Sequence, residues 1–160
     1  MRHMMVFAAV AGLGLMAGTA ALANREPPMP EAEAEAQGIN PDYIAAQKAI
    51  DAGDYEKANS LLEKVVAAEP ENSEAWSLMG YSHREMQNFD EAFRYYEKAL
   101  EIDPDNRNAH EYIGEAYLEV DQPAKAEEHL DKLGLICILG CDQFDKLEEA
   151  VKMYRQNHTS

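Results

Sequence analysis

The sequence predicts an all-α fold in which helix-turn-helix units are stacked in tandem. The first observation is a period of 34 residues in the small residues Ala58, Ala92 and Ala126. The second is a pair of prolines at the same spacing, Pro70 and Pro104, which are typical of helix ends because proline cannot continue a helix. Units of this kind cannot bury their apolar faces alone, so we expect them to form a solenoid with a concave surface.

The chain begins with a segment that is typical of a cleavable secretion signal. A short basic start precedes an apolar stretch, and Ala21-Leu22-Ala23 fits the small-x-small cleavage rule. We therefore predict a signal peptide at residues 1–23, cut after Ala23, and a periplasmic or secreted protein without stable membrane insertion; an uncleaved anchor is the alternative. Residues 24–38 are rich in Pro and Glu and predict a disordered tether.

The period divides the rest of the chain into repeats and a terminal helix. The predicted repeats are residues 39–72, 73–106 and 107–140, and the last is degenerate at its end because Ile138 stands where proline is expected. A helix predicted at residues 141–157 would cap the stack and cover its apolar edge. Four residues spaced as on one helix face form the apolar side of this helix: Phe144, Leu147, Val151 and Tyr154.

A set of aromatic, small and proline positions in residues 73–106 forms a recognisable signature. Its members are Trp76, Met79, Gly80, Phe89, Ala92, Tyr96, Ala99 and Pro104. With these residues the segment resembles a near-consensus tetratricopeptide repeat, and residues 39–72 and 107–133 resemble it more weakly. The resemblance implies a right-handed α–α superhelix of about three repeats plus a capping helix. It also implies a non-enzymatic module that binds other proteins.

The resemblance further implies a binding surface, because ligands in this family commonly lie along the first helices of the repeats. In the register of this chain the partner-binding residues are Tyr43, Gln47, Tyr81, Arg84, Glu85, Glu111, Glu115 and Glu119. They predict a concave groove that becomes acidic toward the third repeat and suits a protein or peptide partner, including a basic one. The same residue types also occur on ordinary solvated helix faces.

Composition narrows the classes of function. The chain has 30 acidic and 14 basic residues, so nucleic acid is an unsuitable partner. We find no catalytic motif and predict no cofactor and no metal site, which favours a scaffold or adaptor in the bacterial envelope. His110 stands where the previous repeat has Trp76 and is predicted to pack between helices; a metal pair with His129 is the alternative.

Cys137 and Cys141 are the only cysteines of the chain. In an oxidising compartment two nearby thiols most often form a disulfide, and helical spacing brings their Cα atoms within bridging range. We predict a structural bridge between the third repeat and the capping helix. Two alternative functions stay open: a periplasmic redox or metal-handling factor that uses these cysteines, and a structural accessory subunit of an envelope complex.

The apolar residues around the cysteines need a place in the fold. Ile136, Ile138 and Leu139 are predicted to pack beneath the capping helix, since that helix needs an apolar floor. The alternative is an exposed docking patch.

Overall fold

The computed structural model of the chain describes residues 38–158, which are helical throughout except for short connections. The predicted signal peptide and nearly all of the predicted tether lie outside these residues. Seven helices follow one another in this range: α1 (Pro41–Asp51), α2 (Tyr55–Ala68), α3 (Ser73–Glu85), α4 (Phe89–Ile102), α5 (Arg107–Glu119), α6 (Pro123–Ile136) and α7 (Asp142–His158). The predicted all-α fold is confirmed.

Asparagine begins the first helix of each pair. The side chains of Asn40, Asn72 and Asn106 accept hydrogen bonds from backbone N–H groups in the first turns of α1, α3 and α5. Such bonds satisfy donors that have no partner within the helix. Asn40 lies two residues later in the repeat register than Asn72 and Asn106, and α1 is correspondingly two residues shorter than α3.

The turn inside each helix pair uses a left-handed backbone conformation at the same register position. Gly53, Gln87 and Asp121 have φ values of 73°, 62° and 60°. Glycine adopts this conformation without steric cost, whereas Gln and Asp adopt it less readily. The repeat geometry therefore imposes the turn on three different residue types.

Two glycines bring helices into close contact. A Cβ atom added to Gly80 of α3 would lie 2.5 Å from the ring of Tyr96 in α4. A Cβ atom added to Gly114 of α5 would lie 2.6 Å from Leu147, which belongs to α7. Both glycines thus allow a close approach of helices, and at Gly114 the approaching helix is the terminal one.

The terminal helix packs where the first helix of a fourth repeat would lie. α7 contacts both α5 and α6 and buries Leu147 and Val151 completely or nearly so. Its other face carries exposed charged residues, including Asp145, Glu149 and Lys152. α7 therefore ends the stack with a polar surface, as a solenoid cap must. None of the helices within residues 38–158 combines the length and the apolar character needed to span a bilayer.

Candidate partner-binding cleft

A cleft of about 460 Å³ lies where the first helices of the three repeats meet the start of α7. Its walls come from four helices and the turn before α7. The lining residues are Tyr43, Gln47, Glu74, Leu78, Arg107, Asn108, Tyr112, Gly140, Cys141, Asp142, Gln143 and Lys146. Most of these side chains are polar, so the cleft suits a ligand that hydrogen bonds.

A ladder of side-chain hydrogen bonds runs along one wall of this cleft. The Asn108 amide donates to Glu74 over 2.9 Å, and the Gln143 amide donates to Asn108 Oδ1 over 2.9 Å. Glu74 and Asn108 are equivalent residues of consecutive repeats, 34 positions apart. Each amide offers two N–H donors and an acceptor oxygen, so the ladder keeps capacity for further bonds.

Arg84 lies beside the cleft in an internal ion cluster. Its guanidinium contacts Glu115 at 2.5 Å, Glu85 at 3.1 Å and Glu119 at 3.2 Å. The residue is 6% exposed, and its Cζ lies 5.2 Å from the ring centre of Tyr81, which is also buried. Sequence analysis treated Arg84 and Tyr81 as open contacts for a partner. That expectation is wrong for both side chains, because they are packed between the second and third repeats.

The cluster alters the acidity of its members. Burial by itself disfavours the charged guanidinium, but Tyr96, Glu115 and Glu119 outweigh burial and hold the pKa of Arg84 above its ordinary value. Burial raises the pKa of Glu119, while Arg84 opposes that rise. Arg84 thus stays charged and is matched by carboxylates from its own repeat and the next one.

Glu111 is a buried carboxyl group on the same side of α5. It is 3% exposed, and its Oε1 lies 3.6 Å from Lys146 Nζ of α7. Its Oε2 has no hydrogen-bond partner among the described residues. Burial, followed by repulsion from Glu115, raises the pKa of Glu111 from 4.5 to about 7, and Lys146 opposes the rise. The sequence predicted an open contact at Glu111, which is wrong because this side chain is buried beside Lys146 of α7.

Two of the predicted contact residues, Tyr43 and Gln47, line the cleft. Glu85, Glu115 and Glu119 belong instead to the Arg84 cluster. The lining residues that sequence analysis missed include Glu74, Asn108 and Tyr112 in the repeats and Gln143 and Lys146 in α7. Glu74 and Asn108 could have been found from the sequence, because they lie one helical turn before the register positions 77 and 111 on the same helix face. The α7 residues carried no such signal.

Family comparison agrees with this architecture. One tetratricopeptide repeat model matches residues 73–106, and a second matches residues 95–128. Residues 73–128 of the chain therefore consist of tetratricopeptide repeats. Among curated proteins, no significant match to the chain is found. Tetratricopeptide repeats are generally non-enzymatic, so the repeats of this chain support a protein–protein interaction scaffold and suggest protein partners.

The third tetratricopeptide repeat contains a pair of histidines in direct contact. His110 Nε2 lies 3.0 Å from the Pro104 carbonyl oxygen, and its Nδ1 lies 2.8 Å from Nδ1 of His129. A carbonyl oxygen only accepts, so Nε2 of His110 carries the proton and its Nδ1 accepts from His129. Burial lowers the pKa of His129 to about 4, with His110 and Lys132 contributing. Within residues 38–158 no group of three or more His, Cys, Asp or Glu side chains is arranged to hold a metal ion.

The connection between α6 and α7 contains the disulfide. Cys137 and Cys141 are bridged, with their Cα atoms 5.6 Å apart. Ile138 and Leu139 lie between them and are 83% and 100% exposed. The prediction that these two residues pack beneath the capping helix is wrong. Leu147 and Val151 of α7 pack instead against Leu133 and Ala126 of α6.

Proposed function

We propose that this tetratricopeptide repeat protein is a non-catalytic adaptor of the bacterial envelope that holds a segment of a partner protein in the cleft. The observation that carries the proposal is the shared space of about 460 Å³ to which α1, α3, α5 and α7 all contribute. Equivalent positions of successive repeats follow one another along this space. An extended segment would meet them in turn, as in other groove-binding modes.

The chemistry of the lining favours a polar segment that carries both charge signs. Glu74 and Asp142 supply carboxylates, while Arg107 and Lys146 supply cations. The amide ladder offers partners for the backbone of an extended chain. The two tyrosines of the lining provide the kind of rigid, amphipathic contact that often dominates binding energy. A basic partner was one expectation from the sequence; the cations Arg107 and Lys146 in the lining favour a segment that also carries acidic groups.

The envelope location is part of this proposal. It is supported by the apolar N-terminal stretch that ends in Ala21-Leu22-Ala23 and by the disulfide, because such bonds persist in oxidising compartments. N-terminal sequencing of the exported protein should give Asn24 as the first residue. A retained Met1 in the membrane fraction would contradict it.

The binding site can be tested by cross-linking mass spectrometry followed by capture of the identified partner. Gln47→Ala combined with Arg107→Ala removes two cleft side chains without touching a fully buried one. We expect this double variant to weaken partner capture at least tenfold, with unchanged thermal unfolding.

The matched control is Lys57→Ala combined with Lys64→Ala, at exposed positions of α2 outside the cleft lining. It should capture the partner as the unmodified protein does. Equal capture by the cleft variant and the control would contradict the proposed site.

A further inference from the structure

We propose that the apolar turn, defined as Leu135, Ile138 and Leu139, is a second docking surface that inserts into an apolar pocket with a basic rim on a partner protein. Its three residues do not line the cleft, although Gly140 and Cys141, which follow them in the chain, do. The proposal rests on exposure, on rigidity and on charge.

The exposure is concentrated in a few residues. Leu135, Ile138 and Leu139 are 72%, 83% and 100% exposed, and they fall within five consecutive positions. Met153, at 53%, is the other large apolar side chain recorded as exposed in the described part of the chain. Single exposed apolar residues are common on protein surfaces, but contiguous groups mark interaction sites.

The apolar turn is not the uncovered end of an unfinished stack. α7 occupies the place of the next first helix, and its outer face carries Asp145, Glu149 and Lys152. A further repeat would have to pack on this charged face. The exposure of the turn therefore needs a separate explanation.

The backbone of the turn is held in one conformation. Leu135 lies in the last turn of α6, and the disulfide joins Cys137 and Cys141 on either side of Ile138 and Leu139. The N–H of Gly140 donates to the Cys137 carbonyl oxygen over 2.8 Å. Gly140 has a φ of 89°, a left-handed conformation that suits glycine. A group that is already ordered loses little conformational freedom on binding, so the turn is well suited to serve as an anchor.

The negative charge near the turn indicates that the rim of the partner's pocket is basic. Exposed carboxylates of Asp131, Asp142 and Asp145 flank the turn along the chain, whose net charge is −16. Basic groups around the pocket would be attracted to them. Anionic lipid headgroups and a second copy of this chain would be repelled, which favours a different protein as the occupant.

The test uses the full chain and a fluorescent synthetic peptide in which Leu recurs every three or four positions with Lys between, so that its helix has one apolar and one basic face. A peptide with Glu in place of Lys is the charge control. Fluorescence anisotropy should show binding of the Leu–Lys peptide that weakens at least tenfold in Ile138→Ser combined with Leu139→Ser. These side chains are exposed, so circular dichroism should be unchanged; Leu139→Ser alone is the milder second variant.

Two control variants make the result specific. Met153→Ser removes an exposed apolar residue elsewhere, and Gln47→Ala with Arg107→Ala alters the cleft; both should change the affinity by less than twofold. Equal affinity of the turn variant and the unmodified chain would overturn the proposal, as would equal binding of the Leu–Glu peptide. Turn-dependent binding to phosphatidylcholine vesicles, or turn-dependent dimerisation in sedimentation, would also overturn it in favour of a lipid surface or a second copy.

Discussion

The second and third repeats place different rings in the same backbone positions. In the second repeat, Trp76 Nε1 donates to the Pro70 carbonyl oxygen over 2.9 Å, and the indole stacks on Tyr95 with ring centres 5.9 Å apart. In the third repeat, the equivalent rings are those of His110 and His129, and His110 makes the corresponding bond to the Pro104 carbonyl oxygen. Both repeats thus place a ring with an N–H group at this position, whereas the first repeat has Asp42 there. The choice of ring decides whether the repeat responds to pH.

The same two repeats also divide their charges unequally. Arg84 of the second repeat corresponds to Leu118 of the third, whereas the buried Ser77 corresponds to Glu111. The cation therefore comes from one repeat, and Glu115 and Glu119, two of its three carboxylate partners, come from the next. Differences of sequence between equivalent positions create an ionic link between repeats that a uniform stack would lack.

The largest expected effect on stability follows from replacing Arg84 by leucine, the residue type at the equivalent position of the third repeat. Arg84→Leu leaves Glu85, Glu115 and Glu119 without their shared cation in a partly buried site. We expect the free energy of unfolding at pH 7 to fall by about 3–5 kcal/mol, as measured by urea denaturation. Arg94→Leu is the control, since its ion pair with Glu91 is exposed and should change stability by less than about 1 kcal/mol. Similar losses in both variants would contradict the link between repeats.

The second effect concerns the close contact at Gly80. Gly80→Ala should lower the free energy of unfolding by about 2–3 kcal/mol, because the new Cβ would lie 2.5 Å from the fully buried Tyr96 ring. The first repeat has Ala46 and Leu62 at the equivalent positions, so adding Tyr96→Leu should recover at least half of the loss.

A glycine with more room provides the control for this prediction. A Cβ atom added to Gly134 of α6 would lie 3.4 Å from Phe144, so Gly134→Ala should stabilise the helix by about 0.5–1 kcal/mol. Additive losses in Gly80→Ala with Tyr96→Leu would show that the two residues do not constrain each other.

The third prediction concerns the buried carboxyl group of Glu111, which stands where the second repeat has the uncharged Ser77. The pKa of Glu111 is raised from 4.5 to about 7, so its favourable contribution is complete below pH 4.5 and is lost as the pH rises through 7. Gln imitates the protonated carboxyl group. Glu111→Gln should therefore be about 2 kcal/mol more stable than the unmodified protein at pH 8 and equally stable at pH 4. Chemical denaturation at both pH values tests this, with the exposed Glu97→Gln as control; lower stability at pH 8 would refute it.

The smallest effect concerns the histidine pair. The pKa of His129 is lowered from 6.5 to about 4, so its contribution to stability is complete above pH 6.5 and is lost as the pH falls toward 4. Replacing the pair with its counterpart, His110→Trp with His129→Tyr, should remove this loss. We compare the free energy of unfolding of the double variant with that of the unmodified protein by thermal and urea unfolding. The difference in favour of the variant should be about 1 kcal/mol larger at pH 4.5 than at pH 7.5. A variant that keeps the acid sensitivity of the unmodified protein would show that other groups cause it; His158→Gln, at an exposed position, is the control.

Much of the fold could be predicted because its signals are local and repeated. The spacing of Ala58, Ala92 and Ala126 gave the period, and Pro70 and Pro104 marked helix ends. The binding surface was predicted less well. The family register assigned Arg84 and Glu111 to an open groove, but a register gives the face of a helix and not what covers that face.

The sequence by itself determined the helical repeat, its helix-turn-helix units and the terminal helix, because these depend on residues within one turn or one period. Only the tertiary structure decided that α7 lies over Glu111, that Arg84 joins carboxylates of two repeats, and that Ile138 and Leu139 remain exposed. Arg84 and Glu115 are 31 positions apart, and Glu111 and Lys146 are 35 apart. Contacts at such separations depend on how the helices are placed relative to one another, and that placement results from the packing of all the side chains between them.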